Sequence, residues 1–210
     1  MFKFSANEKQ ELIMATSIFV LVELSLLMLP LGVISLLSLD FLDFDIFTYM
    51  SFIILGILSI PLFLFHELAH KFVAQGNGLV SEFRFFPNMA IFSLFSIFMP
   101  IKIIAPGVVL SSGRHGPDTP ARISMAGPLT NILIGGIFLI FASFLPNYWF
   151  LLFLFVSKFS FDLALFNLIP ISVLDGAKIF EWNQGVFLLI FGLTIVLWAF
   201  HPFGIMGELI

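Results

Sequence analysis

Residues 53–70 read Ile-Ile-Leu-Gly-Ile-Leu-Ser-Ile-Pro-Leu-Phe-Leu-Phe-His-Glu-Leu-Ala-His, an apolar run to Phe65 that closes in His66-Glu67-Leu68-Ala69-His70. Two histidines four apart on a helix project from one face, one turn above the other, and can share a metal ion. Glu67 is turned about 100° round the axis, which places it to touch a water on the metal rather than the metal itself. Zinc lowers the pKa of such a water to about 7, and a carboxylate can take its proton. From this chain's composition the pattern arises by chance about 0.0025 times. The bland alternative is two histidines and a glutamate that only hydrogen-bond to neighbours. It is disfavoured at the end of a membrane span, where ionisable groups are costly.

Composition fixes the class. The 210 residues are 60% hydrophobic and 10% charged, with 30 phenylalanines, and the mean hydropathy is +1.13. Several runs approach the roughly 20 apolar residues that cross a bilayer, and none alternates as barrel strands do. An all-α polytopic membrane protein with five to six transmembrane helices is expected. There is no cysteine, so a metal must sit on His, Asp or Glu. A net charge of −4 gives no reason to expect nucleic acid.

Outward from the motif, residues 1–11 form a short polar leader, expected to be cytoplasmic. A first span runs from about Leu12 to Leu39, interrupted at Pro30-Leu31-Gly32. Glu23 inside it is either an inward-facing packing residue or a gating group. Asp40, Asp43 and Asp45 make an acidic outer loop. The second span, about Ile46 to Ala74, carries the motif, and Lys71 and Arg84 put its far end on the cytoplasmic side.

Residues 81–120 do not read as one simple helix. Ala90–Met99 is too short to cross. Ile101–Leu110 is β-branched and proline-bracketed, a membrane-associated re-entrant segment with extended pieces between the second and third core spans. A single kinked span from Phe83 to Leu110 is the rival. After a basic loop, 111–122, come spans at Ile123–Leu145 and Phe150–Ile169, joined by a four-residue outer turn, Pro146-Asn147-Tyr148-Trp149. Lys158 and Asp162 are spaced to pair, and Gln184–Phe200 is a last helix. The chain is expected to be one integral membrane domain: core 46–178, N-terminal helix 12–39, C-terminal helix 184–200.

This topology brings His66, His70 and Asp175 to one depth. A catalytic zinc takes three protein ligands and keeps one position open, and Asp175 is the favoured third ligand. Pro170 would break the helix before it and turn the carboxylate inward.

His66-Glu67-Leu68-Ala69-His70 together with Asn167-Leu-Ile-Pro170-Ile-Ser-Val-Leu-Asp175-Gly176 resembles the paired motifs of the site-2 protease family of intramembrane zinc metalloproteases. Pro106-Gly107-Val108 and Gly127-Pro128-Leu129-Thr130-Asn131 resemble its membrane-inserted strand and the opening of its third core span. The resemblance implies one zinc per chain on His66, His70 and Asp175, with Glu67 as general base. It implies that Asn167 helps hold the substrate or the developing oxyanion. The substrate would be a transmembrane helix of another protein, cut within the cell membrane toward the cytoplasmic side, in regulated intramembrane proteolysis. The chain departs from the family in having Ala177, before the basic Lys178, where a second glycine often follows Asp-Gly, and in a turn too short to carry an inserted PDZ domain; no CBS domain is expected.

Two other readings stay open. One is an inactive protease-like membrane binding or chaperone module, against which the intact Glu67 argues. The other is a divalent metal-ion carrier, which would string ionisable groups through several spans. An unrelated zincin would look for its third ligand at Glu181 or Glu208.

Overall fold

The computed structural model describes residues 4–29, 32–39, 42, 45–99, 102–171 and 173–202. The elements are α1 (Ala6–Met28), α2 (Val33–Ser38), α3 (Ile46–Gly76), β1 (Val80–Phe85), α4 (Pro87–Phe95), β2 (Gly107–Ser112), α5 (Thr119–Ala142), α6 (Asn147–Asn167), α7 (Asp175–Trp182) and α8 (Gln184–Ala199), with one 3-10 turn at Ser96–Phe98. Two compact units result, Met1–Leu64 with Ser81–Ser111, and Phe65–Val80 with Ser112–Ile210.

In the first unit, α1 begins earlier than the polar composition of residues 1–11 suggests. Ser5 Oγ accepts the N–H of Glu8 at 3.1 Å and Glu8 Oε2 accepts that of Ser5 at 3.3 Å, a reciprocal capping box that satisfies two orphan donors. The expected span 12–39 is therefore a helix that ends at Met28 and a separate short α2. The kink read at Pro30-Leu31 lies outside the described residues, as do Asp40 and Asp43 of the acidic loop. Gly32 does two jobs: its φ is +62°, and a Cβ there would run into the Phe98 carbonyl. Asp45 Oδ1 accepts the N–H of Thr48 at 2.7 Å, capping the start of α3.

Phe19 of α1 stacks on Phe63 of α3 with centroids 4.7 Å apart. Glu23 is buried and accepts a hydrogen bond from Ser59 Oγ, so it faces inward.

Residues 80–112 do not form one kinked helix but strand, short helix, 3-10 turn and returning strand. β1 and β2 make a two-stranded sheet. The extended piece expected at Ile101–Leu110 is shifted: β2 starts at Gly107, after Pro106, which has no N–H for a ladder. Pro100 and Ile101 lie outside the described residues. The irregular stretch before β2 is satisfied by side chains, as non-helical backbone away from water requires. Lys102 Nζ donates to the carbonyls of Leu29 at 2.9 Å, Ile97 at 3.0 Å and Met99 at 2.5 Å. Ser96 Oγ accepts the N–H of Ile103 at 3.0 Å and Ser93 Oγ that of Ala105 at 3.1 Å.

In the second unit, α5 and α6 form an antiparallel pair with an unusually close seam. Gly135 faces the Phe161 ring, which a Cβ would meet at 2.7 Å. Ser157 Oγ donates to the Gly135 carbonyl and Ser160 Oγ to the Asn131 carbonyl, each at 2.8 Å. Helices in lipid gain little from apolar contact alone, so close packing at small residues and such hydrogen bonds carry their association. α6 starts at Asn147, one residue into the expected turn, with Asn147 itself at φ +52°. Lys158 and Asp162 pair at 2.5 Å, and Trp198 of α8 joins them, its Nε1 donating to Asp162 Oδ1. Leu168, Ile179, Phe187 and Ile190 are the buried core that α6, α7 and α8 share.

Among the described residues, three helices are long and apolar enough to cross a membrane: Thr48–Gly76, Thr119–Ala142 and Asn147–Asn167. The expected five to six spans go beyond these three. Their outer faces are apolar, with Leu133, Ile140, Ile53 and Ile57 all more than half exposed. Water would penalise so large an apolar surface and lipid does not.

The seam makes a paired prediction. Gly135→Ala puts a methyl into Phe161 and should destabilise the protein by about 1–3 kcal/mol in a denaturant titration in detergent. Gly136→Ala, where a Cβ meets nothing within 4 Å, should be neutral or slightly stabilising. Equal effects at both positions would exclude the seam as a determinant of stability.

Candidate metal centre

His66 and His70 sit near the C-terminal end of α3, one turn apart and both buried. Asp175 is the first residue of α7. It reaches the histidines because α6 ends at Asn167 and the chain reverses through Leu168–Leu174. Gly176 makes that reversal possible, since a Cβ there would collide with the Leu168 carbonyl. Asp175 Oδ2 lies 3.1 Å from His70 Nε2 and 3.4 Å from His66 Nε2. One ligand atom from each of the three residues falls within a 4.8 Å cluster. The structure thus brings together the histidine pair that spacing proposed and the Asp175 that topology and the resemblance added.

The donor set fits a divalent metal. His70 Nδ1 lies 2.7 Å from the Ile123 carbonyl, which can only accept, so Nδ1 carries a proton and Nε2 is the atom turned to Asp175. Nε2 and a carboxylate oxygen 3.1 Å apart can share a proton or, in its place, a metal cation, and two imidazoles with one carboxylate are an ordinary zinc set. Room for it comes from α5: a Cβ on Gly127 would meet Nε2 of both histidines, that of His66 at 2.5 Å. Burial alone would raise the pKa of Asp175, but His70 and His66 hold its carboxyl well below the usual carboxylate range. It is ionised and can serve as an anionic ligand.

The sequence reading placed Asn131 only within the stretch that resembles the opening of the third core span. Asn131 is fully buried, one turn beyond Gly127 on the same face of α5, and its side-chain amide lies 3.1 Å from His66 Nδ1. Its Oδ1 otherwise has no partner among the described residues. With Oδ1 turned toward the ring, His66 Nδ1–H donates to it, and Nε2 is left with its lone pair toward Asp175. The two ends of an amide are isosteric, so the choice between them is made by the tautomer a metal requires. A signal was present in the sequence: Gly127 and Asn131 are spaced i, i+4.

Glu67 is half-buried and lies within electrostatic range of His70, Asp175 and Lys178. Asn167 ends α6, and its Nδ2 donates to the Leu163 carbonyl at 3.0 Å. Its amide thus turns back on its own helix instead of toward the three ligands.

A histidine pair on an apolar helix, completed by a carboxylate and flanked by a glutamate, defines a metalloprotease-type site. The chain is 33% identical over 170 residues to "Putative zinc metalloprotease" from Methanocaldococcus jannaschii, covering 78% of this chain and 87% of that one. It belongs to that protein's zinc metalloprotease family. No family model and no solved structure gives a significant match.

Asn131→Ala should weaken zinc binding about 10–100-fold, the usual cost of losing a partner behind a ligating histidine, in a chelator competition followed by metal analysis. Unchanged affinity would mean that Asn131 does not orient His66.

Proposed function

We propose that this protein is an intramembrane zinc endopeptidase that cuts peptide bonds in the transmembrane segments of other membrane proteins. The observation that carries the reading is the convergence of Asp175 on His66 and His70, which sit on a helix long and apolar enough to cross a bilayer. The related archaeal protein's name, a zinc metalloprotease, supports the chemistry. The apolar helices support the setting, and further spans, including α1, would complete a multi-pass arrangement in the cell membrane. Lys71 and Arg84 support a cytoplasmic orientation for the motif end of α3 by the positive-inside rule.

His66, His70 and Asp175 would hold the zinc, leaving one position open. A bound zinc supplies Lewis acidity, polarising the scissile carbonyl and making water acidic near neutral pH. Glu67 takes a proton from the attacking water as its oxygen bonds to the carbonyl carbon. It then returns that proton to the departing amide nitrogen as the C–N bond breaks. Asn167 would have to release Leu163 to reach a substrate carbonyl, so any role for it in holding the oxyanion depends on rotation of its side chain.

A transmembrane helix shields its own carbonyls by hydrogen bonding, so the substrate must unwind before it is cut. An open edge on the β1–β2 sheet can take up the freed backbone groups by strand addition. The alternatives differ in what they require of Glu67. A binding module or a metal carrier needs the three ligands and no base.

Glu67→Gln keeps every proposed ligand. It should retain zinc while cleavage of a model transmembrane substrate falls by about 10²–10⁴, whereas His66→Ala should lose both. Equal cleavage by Glu67→Gln and the unsubstituted protein would eliminate the mechanism.

A further inference from the structure

The sheet in the first unit has two strands and therefore two edges. The direction in which β1's backbone groups point follows from one bond: just past β1, the Phe86 N–H donates to the Pro106 carbonyl at 3.0 Å. Backbone groups alternate sides along a strand, so those of Arg84 point at β2 as Phe86 does, while those of Ser81, Phe83 and Phe85 point away from it. Of these outward N–H groups, those of Phe83 and Phe85 are occupied by side chains of α1. Phe83 N–H donates to Glu8 Oε1 at 2.9 Å and Phe85 N–H to Glu11 Oε2 at 2.8 Å.

The spacings match. Carboxylates at i and i+3 on a helix are about 5–6 Å apart, and same-side donors of a strand recur about every 6.7 Å. Both glutamates are also fixed in place. Glu8 is only 1% exposed and its second oxygen closes the capping box. Glu11 also receives the Arg84 guanidinium at 3.0 Å. Charge-assisted bonds of this kind are the strong ones.

β2 differs. Among the described residues no strand pairs with its far edge, and Leu110, Ser111 and Ser112 are exposed. The same alternation leaves Val109 and Ser111 with outward N–H groups.

We propose that α1 closes β1 by imitating a neighbouring strand, with Glu8 and Glu11 supplying its acceptor oxygens, and that β2 is the sole edge at which an unwound substrate segment joins the sheet. Glu8 and Glu11 are thus positioning residues that decide where an extended peptide enters. This rests on the strand-addition step of the proposed function.

The absence of cysteine makes the test clean. Counting along the strands from the Phe86–Pro106 bond sets Glu82 opposite Leu110. A peptide strand beyond β2 would lie about 5 Å from residue 110 and about 10 Å from residue 82, and a disulfide needs Cα atoms within about 7 Å. Leu110→Cys and Glu82→Cys, each in full-length Glu67→Gln protein, are incubated under mild oxidation with a single-span peptide bearing one cysteine in a glycine-interrupted apolar segment. Leu110→Cys should cross-link about tenfold or more faster than Glu82→Cys. Adding Glu8→Ala and Glu11→Ala should raise the Glu82→Cys rate to a comparable level, while Glu8→Gln with Glu11→Gln, which keeps a carbonyl acceptor at each site, should not.

Cross-linking at Leu110→Cys alone in every background would overturn the closure by glutamate and leave strand addition standing. Cross-linking at neither position in any background would overturn strand addition and this proposal with it. Should the double alanine variant fail to fold, hydrogen exchange on the unsubstituted protein without peptide decides. Slow exchange at Phe83 and Phe85 with fast exchange at Val109 and Ser111 supports the closure, and fast exchange at all four overturns it.

Discussion

One face of α5, Gly127-Asn131-Gly135, sets the limits within which the second unit is built. At its first position the missing Cβ leaves space for two imidazole edges. One turn on, the asparagine amide reaches the ring of His66, and its backbone carbonyl takes the hydroxyl of Ser160. A further turn on, the missing Cβ admits Phe161 and the carbonyl takes Ser157. The same helical stripe therefore aligns a histidine and seats a neighbouring helix. A bilayer offers no apolar driving force between helices, so such short-range fits have to do the work that burial does in water.

The first unit answers a different constraint, that backbone polar groups must find partners where water is scarce. Its irregular stretch is tied down by one lysine and two serines, and its sheet by two glutamates. The charged and polar residues of an otherwise apolar segment are in this sense structural backbone partners. Lys102, only 7% exposed, caps three carbonyls.

What could be read from the chain, and what could not, divides along the range of the interactions. His66 and His70 lie one turn apart, and helical periodicity alone puts them together. Asp175 required only that two spans run in the same direction. The start of α1 was readable too, in Ser5-x-x-Glu8, but a polar composition concealed it. By contrast, nothing local distinguishes Glu8 and Glu11 from solvated charges, because their partners lie 75 and 74 residues away. β1 was hidden for the same reason: six residues with a Glu and an Arg do not show a strand until the partners of their amides are known. Asn131 stood in a quoted motif, yet its bearing on His66 appears only once α5 lies against α3.

The bond between Glu8 and Phe83 also has a consequence in time. Helix α1 is made early, and the strand amides that its two carboxylates accept are made 75 residues later. At about 5–20 residues per second, the ribosome takes roughly 4–15 s to supply them. Through that interval α1 has its capping box but not its strand, and two carboxylates near its start are still hydrated. Hydrated charges resist burial, so the N-terminal turn of α1 keeps its water until β1 emerges. The last step in settling the first helix thus waits for a segment encoded after α3.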